Sequence, residues 1–291
     1  MAADELISAL RRLGIDVLDR PGRAVAGGSI SRTERLETSG GPVLLKLEPR
    51  DAADRLEAEA DGLDALRASR AVAVPEVLAR GTAGADAFLV LEWIEFGAKT
   101  PDAARRLGSA LAELHRRTGD AFGWHRDNYI GRTPQPNGKL SSWPEFFRER
   151  RLGWQLSLAR RNGLGARTLA LADALLARID DFFAGHDPEP SLLHGDLWGG
   201  NWGADVSGRP YLYDPATYFG DREADIAMTR LFGGFGDAFY RAYDEAWPPA
   251  PGRDRRTDLY NLYHLLNHFN LFGGAYASQV HGCLTRLLAF A

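Results

Sequence analysis

The chain has 291 residues, 45% of them hydrophobic, and a formal net charge of −4 at pH 7. This composition allows one large domain or two lobes with apolar cores, and the charge does not favour nucleic acid or an anionic membrane as the main partner. Because the chain has one cysteine, Cys283, and neither a signal-peptide core nor a membrane-length apolar stretch, we expect a cytoplasmic protein without disulfides or membrane contact.

The first third of the chain has mainly strand character. After a short amphipathic start, residues 30–38 and 42–48 alternate like two strands on either side of a glycine turn. Residues 51–68 carry apolar side chains at helical spacing, and residues 72–94 contain two more strand-like runs around a glycine-rich turn. This pattern predicts a small antiparallel sheet with one main helix.

The rest of the chain is mainly helical. Helices are predicted over 101–117, 143–161 and 169–183 and again near the C-terminus, and residues 125–138 are expected to form a polar loop. A hairpin is expected to join the stretches HGDLWGGN and YLYDPA. We therefore predict an α+β protein with a small N-terminal lobe, residues 1–94, and a larger, mainly helical lobe, residues 95–291.

One lysine in the sheet and one glutamate in the following helix are predicted to pair. Alternation in PVLLKLE places Lys46 on the strand face opposite Leu45, and steps of three and four residues place Glu59 on the apolar stripe of the helix. A buried carboxylate needs a cation, because an unpaired charge in the interior costs several kcal/mol. Such a lysine, held by a helix glutamate, is the kinase arrangement for contacting nucleotide phosphates.

The glycine-rich stretch before the second strand has two interpretations. RAVAGGSISR lacks the full GxGxxG spacing, so its two adjacent glycines are compatible with a simple turn. The alternative is a phosphate-covering loop in which the backbone amides of Gly28, Ser29 and Ile30 donate hydrogen bonds.

HGDLWGGN brings an acid and an amide close together. Asp196 and Asn201 are five residues apart with glycines between them, and the predicted hairpin returns Asp214 to the same place. These three side chains provide one proton acceptor, Asp196, and two oxygen ligands for Mg²⁺, Asn201 and Asp214. Each residue alone is compatible with a turn or cap. Together with the lysine and glutamate pair, they predict phosphoryl transfer.

The order of these motifs resembles the protein-kinase-like fold, and several stretches are similar to the fructosamine kinase family, also called ketosamine-3-kinases. The stretches are GGSIS, EAEADGLDAL, DNYIGRTPQPN, WPEFFRERRL, HGDLWGGN, DPATYFGDREADIAMTRLFGGF and LYHLLNHFNLFG, which span the chain from Gly27 to about Gly274. The resemblance implies ATP- and Mg²⁺-dependent phosphorylation of the sugar 3-hydroxyl of a ketosamine, either a small molecule or a glycated lysine of a protein. It also implies that the backbone of Glu92, Trp93 and Ile94 binds the adenine.

Features of the second half of the chain favour a small acceptor. The segment between Asp214 and Asp225 is too short for the long activation segment of a protein kinase. Asp225 resembles the acid that accepts backbone N–H groups of the catalytic loop; a helix N-cap is the alternative. Trp198 is either a substrate contact or a core residue. His264 and Asn267 share a helix face away from the leucines and are candidates for the pocket floor.

The sequence is also compatible with two other classes of function. One is a kinase of another small alcohol, such as an aminoglycoside or choline, and the other is a nucleotide-binding module without catalysis. The second requires the loss of a catalytic residue, and none is missing. The preferred sugar, the form of the amine and the oligomeric state are left open.

Overall fold

The computed structural model describes residues 2–18, 22–25 and 31–289. The predicted phosphate-loop residues Gly28, Ser29 and Ile30 lie outside the described residues. Within the described residues, no helix is both long and apolar enough to cross a bilayer.

The first part of the chain forms an antiparallel sheet with a helix on each face. Helix α1 is Ala2–Arg12 and helix α2 is Ala53–Ser69, preceded by a 3₁₀ turn at Arg50–Ala52. The described strands lie in the order β1-β2-β3-β5-β4. Their bounds are Arg23–Ala24 for β1, Arg32–Thr38 for β2, Gly41–Pro49 for β3, Val77–Ala83 for β4 and Asp86–Glu92 for β5.

The alternation predicted for the second long strand is confirmed. Leu45 and Leu47 of β3 pack in one apolar cluster with Leu10 of α1, whereas Leu44 packs against the larger core that contains α2. Successive side chains on a strand point to opposite faces, so the lysine between the two leucines must point toward α2. One face of the sheet therefore packs against α1, and the other face, which carries Lys46, faces α2.

The larger, mainly helical part begins after an irregular connection. Its helices are α3 (Pro101–His115), α4 (Trp143–Phe146), α5 (Trp154–Arg161), α6 (Ala166–Leu176), α7 (Glu223–Leu231), α8 (Asp237–Ala246), α9 (Arg253–Phe272) and α10 (Ala277–Ala289). A π-helical segment, Phe147–Gly153, joins α4 to α5, and 3₁₀ turns lie at Ile179–Phe182 and Gly274–Tyr276. The lobe boundary after Ile94 stays a prediction.

Short hairpins and bridges carry the polar motifs of this part. They are β6 (Asn128–Ile130) with β7 (Thr133–Gln135), β9 (Trp202–Ala204) with β10 (Pro210–Leu212), and β8 (Ser191–Leu193) with β11 (Tyr218–Gly220).

The prediction of a polar loop over residues 125–138 is wrong, because this stretch forms β6–β7 and its amides are buried. Asn128, Gln135 and Asn137 are 4%, 1% and 0% exposed. The predicted helix over 169–183 instead begins at Ala166, ends at Leu176 and is followed by a 3₁₀ turn.

Candidate active site

A cleft of about 500 Å³ lies between the face of the sheet that carries Lys46 and the loops of the helical part, a typical size for a small-ligand pocket. Residues from both parts of the chain line it. Among those predicted from the sequence, the lining includes Lys46, Glu59, Glu92, Trp93, Ile94, Asp196, Trp198, Asn201 and Asp214.

Lys46 lies at the centre of a charge cluster in the cleft. Its Nζ is 2.5 Å from Glu59 Oε1 and also forms an ion pair with Asp214 Oδ1. Burial alone would lower the pKa of Lys46, but the charges of Asp214 and Glu59 outweigh it and raise the pKa. Lys46 is therefore a fixed cation that joins α2 to the loop after β10.

The HGD loop is held in place by an acid on another helix. Asp225 is 1% exposed, and its two carboxylate oxygens accept hydrogen bonds from His194 N at 2.7 Å and Gly195 N at 2.9 Å. Its Oδ2 also lies 3.1 Å from His115 Nε2. Asp225 is the third residue of α7, so the alternative that it is the N-cap is wrong. Its contacts are those predicted for an acid that accepts backbone N–H groups of the HGD loop.

His194 connects the loop to the neighbouring strand. Its Nδ1 accepts from Asp196 N at 3.3 Å, so its Nε2 carries the proton and donates to Tyr213 O at 3.0 Å. Burial lowers the pKa of His194, which keeps the ring neutral and preserves this pairing. The histidine of the motif therefore connects the backbone at Asp196 to the backbone just before Asp214.

Asp196 has an unusually high proton affinity. Burial, followed by the negative charge of Asp214, raises its pKa to about 7 from an ordinary 3.8, although Asn201 donates to its carboxylate at 3.3 Å. A carboxylate with a pKa near the working pH is suited to accept a proton during a reaction. This is the property expected of the proposed base.

The β9–β10 hairpin brings Asn201 and Asp214 together, as its predicted turn requires. Tyr213 N donates to Asn201 O at 3.1 Å, and Asn201 Nδ2 donates to Asp196 O at 2.8 Å and to Asp214 O at 3.4 Å. The amide nitrogen of Asn201 is thus used within the protein. Asp214 itself has a left-handed backbone, with φ of 55°.

The charges and donor atoms of this cluster fit a divalent cation. Glu59 and Asp214 share one lysine, and Asp196 lies beside Asp214. Burial raises the pKa of Glu59, while Lys46 opposes that shift. Asp214 offers carboxylate oxygens and Asn201 an amide oxygen, which are the ligand types that Mg²⁺ takes. A cation there would also relieve the repulsion between Asp196 and Asp214.

The predicted adenine-binding stretch follows β5 at the edge of the cleft. Glu92 N donates to Glu76 O at 2.8 Å, and the Glu92 carboxylate accepts from Glu76 N at 3.2 Å. The indole of Trp93 donates to Glu95 at 3.0 Å. These bonds hold Glu92 against Glu76 and Trp93 against Glu95, and the contact of residues 92–94 with adenine stays a prediction.

The candidate acceptor residues lie in different environments. Trp198 is 40% exposed and lines the cleft, so the alternative that it belongs to the core is wrong. His264 and Asn267 are 4% and 3% exposed and are not among the residues that line this cleft. Asn267 Oδ1 accepts from Gln155 Nε2 at 3.2 Å, and burial lowers the pKa of His264 to about 3. The prediction that these two residues form the pocket floor is therefore wrong, because other helices pack around this part of α9.

A second strand–helix ion pair, which was not predicted from the sequence, lies beside Lys46. Glu48 of β3 pairs with Arg55 of α2, and Ser31 Oγ donates to Glu48 Oε1 at 2.7 Å; all three line the cleft. The available signal was spacing, because Glu48 follows Lys46 by two residues and Arg55 precedes Glu59 by four. The same periodicities therefore place both pairs on facing surfaces.

Comparisons with known proteins identify the family and the fold of this chain. Residues 11–290 match the family model described as fructosamine kinase. A probable ketoamine kinase of Synechocystis sp. is 44% identical over 267 residues, which cover 91% of this chain and 90% of the relative. A chloroplastic protein-ribulosamine 3-kinase of Arabidopsis thaliana is 40% identical over 261 residues, covering 88% of this chain and 79% of the relative.

Solved structures confirm the kinase-like fold. A candidate fructosamine-3-kinase of Haemophilus somnus superposes with a TM-score of 0.89 at 28% identity, covering 99% of this chain and 98% of the other. An aminoglycoside phosphotransferase superposes with a TM-score of 0.65 at 18% identity over 97% of both chains, which shows the fold alone. The sequence prediction of a two-lobe α+β kinase-like fold is confirmed, and this chain belongs to the fructosamine kinase family.

Proposed function

We propose that this protein transfers the γ-phosphoryl group of ATP to the sugar 3-hydroxyl of a ketosamine. The observation that carries the proposal is the cluster in which Lys46 joins Glu59 to Asp214 beside Asp196 and Asn201, in a chain of the fructosamine kinase family. Relatives named ketoamine kinase and protein-ribulosamine 3-kinase support the class of acceptor.

Each charged group of the cluster has a role in this reaction. Lys46, held by Glu59, would contact the phosphates, and Asn201 and Asp214 would hold Mg²⁺, which supplies charge neutralisation at the phosphates when bound. Asp196 would accept the proton of the sugar hydroxyl as the oxygen bonds to the γ-phosphorus and the bond to the β-phosphate oxygen breaks. The products are ADP and the phosphorylated ketosamine. A positioned base of this kind contributes roughly 10²- to 10⁴-fold to the rate.

The nucleotide and the acceptor would contact different residues of the cleft. The backbone at Glu92, Trp93 and Ile94 would bind adenine, and Gly28, Ser29 and Ile30 would cover the phosphates. Trp198 lies two residues after Asp196 and is exposed, so it is the proposed contact for the sugar or its amine. The amine is either that of a small molecule or a lysine of a glycated protein.

The test is Mg²⁺-dependent release of ADP from ATP with one acceptor at a time. Ribulosamine, fructosamine, choline and an aminoglycoside are compared, with Asp196→Ala as the control variant. Turnover only with the ketosamines, lost in the variant, supports the proposal and ranks the sugars. Turnover only with choline or the aminoglycoside would keep the kinase chemistry but reject the acceptor, and ATP binding without turnover would reject catalysis.

A further inference from the structure

Amide side chains of the β6–β7 hairpin hold the backbone just after Asp214. Asn128 Nδ2 donates to Thr217 O at 2.7 Å, and Gln135 Nε2 donates to Ala216 O at 3.2 Å. Gln135 Nε2 also donates to Asn128 Oδ1 at 2.8 Å, which links the two amides. Both side chains come from the DNYIGRTPQPN stretch, which the proposed chemistry does not use.

The two amides are themselves oriented by deeper residues. Tyr263 OH donates to Gln135 Oε1 at 2.6 Å, and Asn137 Nδ2 donates to Asn128 Oδ1 at 2.8 Å. With its oxygen occupied by the tyrosine, Gln135 can present only its nitrogen to the backbone. The direction of each hydrogen bond in this network is therefore determined.

A buried arginine terminates the network. Arg151 is 0% exposed and its guanidinium lies over the ring of Tyr218, 3.9 Å from the ring centroid. Among the described residues, its hydrogen-bond acceptors are neutral oxygens, Pro136 O and Asn137 Oδ1, each at 2.7 Å, and Arg150 O at 3.1 Å. A buried cation strengthens the acceptors it contacts and polarises the chain of hydrogen bonds beyond them. This favours a rigid network over a loosely packed one.

The backbone just before the two held carbonyls is strained at Asp214, which lines the cleft. Asp214 has φ of 55°, a left-handed conformation that is unfavourable for an L-residue and persists only where the surroundings enforce it. The next residues are fixed on several sides: Ala216 N donates to His194 O at 2.8 Å, and Gly62 of α2 lies close to Pro215. The amides supply the remaining restraint, on the carbonyls.

We propose that Gln135 and Asn128 are positioning residues for Asp214. By holding the carbonyls of Ala216 and Thr217 they keep Asp214 in its left-handed conformation, which directs its carboxylate toward Lys46 and toward the divalent cation of the nucleotide complex. The inference rests on the proposed metal role of Asp214. A network that only stabilised the helical part would affect the free energy of unfolding but not metal affinity.

The test measures Mg²⁺-dependent ATP binding by calorimetry, which needs no acceptor and no turnover. Gln135→Leu keeps a similar volume but cannot donate to Ala216 O, and Tyr263→Phe is a milder change that removes the hydroxyl orienting Gln135. Tyr260→Phe is the matched control. Tyr260 lies one turn away on α9, is 1% exposed, and its OH donates to Asp221 at 2.5 Å instead of to this network.

We expect Gln135→Leu to raise the half-saturating Mg²⁺ concentration about tenfold, as is common when a residue that orients a metal ligand is lost. Tyr263→Phe should cause a smaller increase in the same direction. Tyr260→Phe should lower the Tm yet leave the Mg²⁺ requirement unchanged. Metal-free ATP binding should be the same in all variants.

Two results would contradict the inference. If Gln135→Leu and Tyr263→Phe shift the Mg²⁺ requirement no more than Tyr260→Phe does, the network has no positioning role. If the wild-type protein binds ATP equally with and without Mg²⁺, the proposed metal role of Asp214 itself fails, and the inference fails with it. The first outcome leaves the proposed function intact, so the two failures are distinguishable.

Discussion

Replacing the proposed base should make the ligand-free protein more stable at neutral pH. Asp196 is half-buried and lies beside Asp214, and together these effects raise its pKa to about 7. At pH 8 the folded protein must therefore hold an unfavourable carboxylate that the unfolded chain exposes to water. Asp196→Asn removes that charge and keeps the shape of the side chain, including an oxygen that accepts from Asn201 Nδ2.

The magnitude follows from the two pKa values. Each tenfold change in proton affinity corresponds to about 1.4 kcal/mol, so the difference between 3.8 and about 7 sets an upper bound of about 4 kcal/mol. Asp196 is partly exposed, and solvent screening reduces the penalty. We therefore expect the variant to gain about 1–3 kcal/mol in the free energy of unfolding.

The pH dependence of this gain has a defined sign. Between pH 3.8 and about 7 the unfolded state has lost the proton that folded Asp196 keeps, so the wild-type protein loses stability as pH rises through this window. The advantage of Asp196→Asn should be small near pH 4, grow up to about pH 7 and stay constant above it.

Urea unfolding of both proteins at several pH values, with a chelator and without nucleotide, measures this difference. Asp173→Asn is the control, since Asp173 is 55% exposed on α6 and its removal should change stability by less than about 0.5 kcal/mol at every pH. A gain that is absent, or that is largest at low pH, would show that Asp196 does not carry an unfavourable charge. Whatever its stability, Asp196→Asn should have no kinase activity.

Three other substitutions test the remaining parts of the cluster. Lys46→Met should weaken ATP binding and lower kcat/KM by about 10²-fold or more, because a fixed cation at the phosphates is lost; steady-state kinetics with varied ATP measure this, and near-normal values would remove Lys46 from the site. Asp225→Asn should cost about 2–4 kcal/mol in urea unfolding, because one oxygen that accepts a buried N–H is replaced by a donor; an unchanged midpoint would contradict its anchoring role. Gly195→Ala should destabilise far more than Gly185→Ala, because both glycines have positive φ but a Cβ at Gly195 would overlap Ala216 O, whereas a Cβ at Gly185 would meet no atom within 4 Å. Equal losses of Tm would mean that the close approach of the two loops is not a constraint.

Local periodicity was sufficient to find the charged centre of the site. Alternation on β3 and the three-and-four spacing on α2 each depend on a few neighbouring residues, and both were correct for Lys46 and Glu59. The need to neutralise a buried acid then identified the partner. The hairpin between Asn201 and Asp214 could also be predicted from the sequence, because a short turn brings the following strand back beside the preceding one.

Other features could not be read from the sequence because they depend on distant partners. The stretch 125–138 has the composition of a loop, and its amides are buried only because the segments around Ala216 and Arg151 cover them. In α9, periodicity indicates which residues share a face but not what packs against that face. His264 and Asn267 are polar, yet α5 and α7 enclose their helix, so both are buried.

The residues of the charged cluster and the residues that hold its loops differ in their effect on stability. Asp196 is predicted to destabilise the ligand-free fold, and Asp214 has a backbone conformation with an intrinsic cost. Neutral amides and Asp225 stabilise the same loops through hydrogen bonds to backbone groups. A charged, strained cluster of this kind persists only if the surrounding hydrogen bonds outweigh its cost. For this reason the buried amides of β6–β7, whose burial the sequence did not predict, are the residues through which we expect the geometry of the proposed metal site to be most easily changed without altering a charged group.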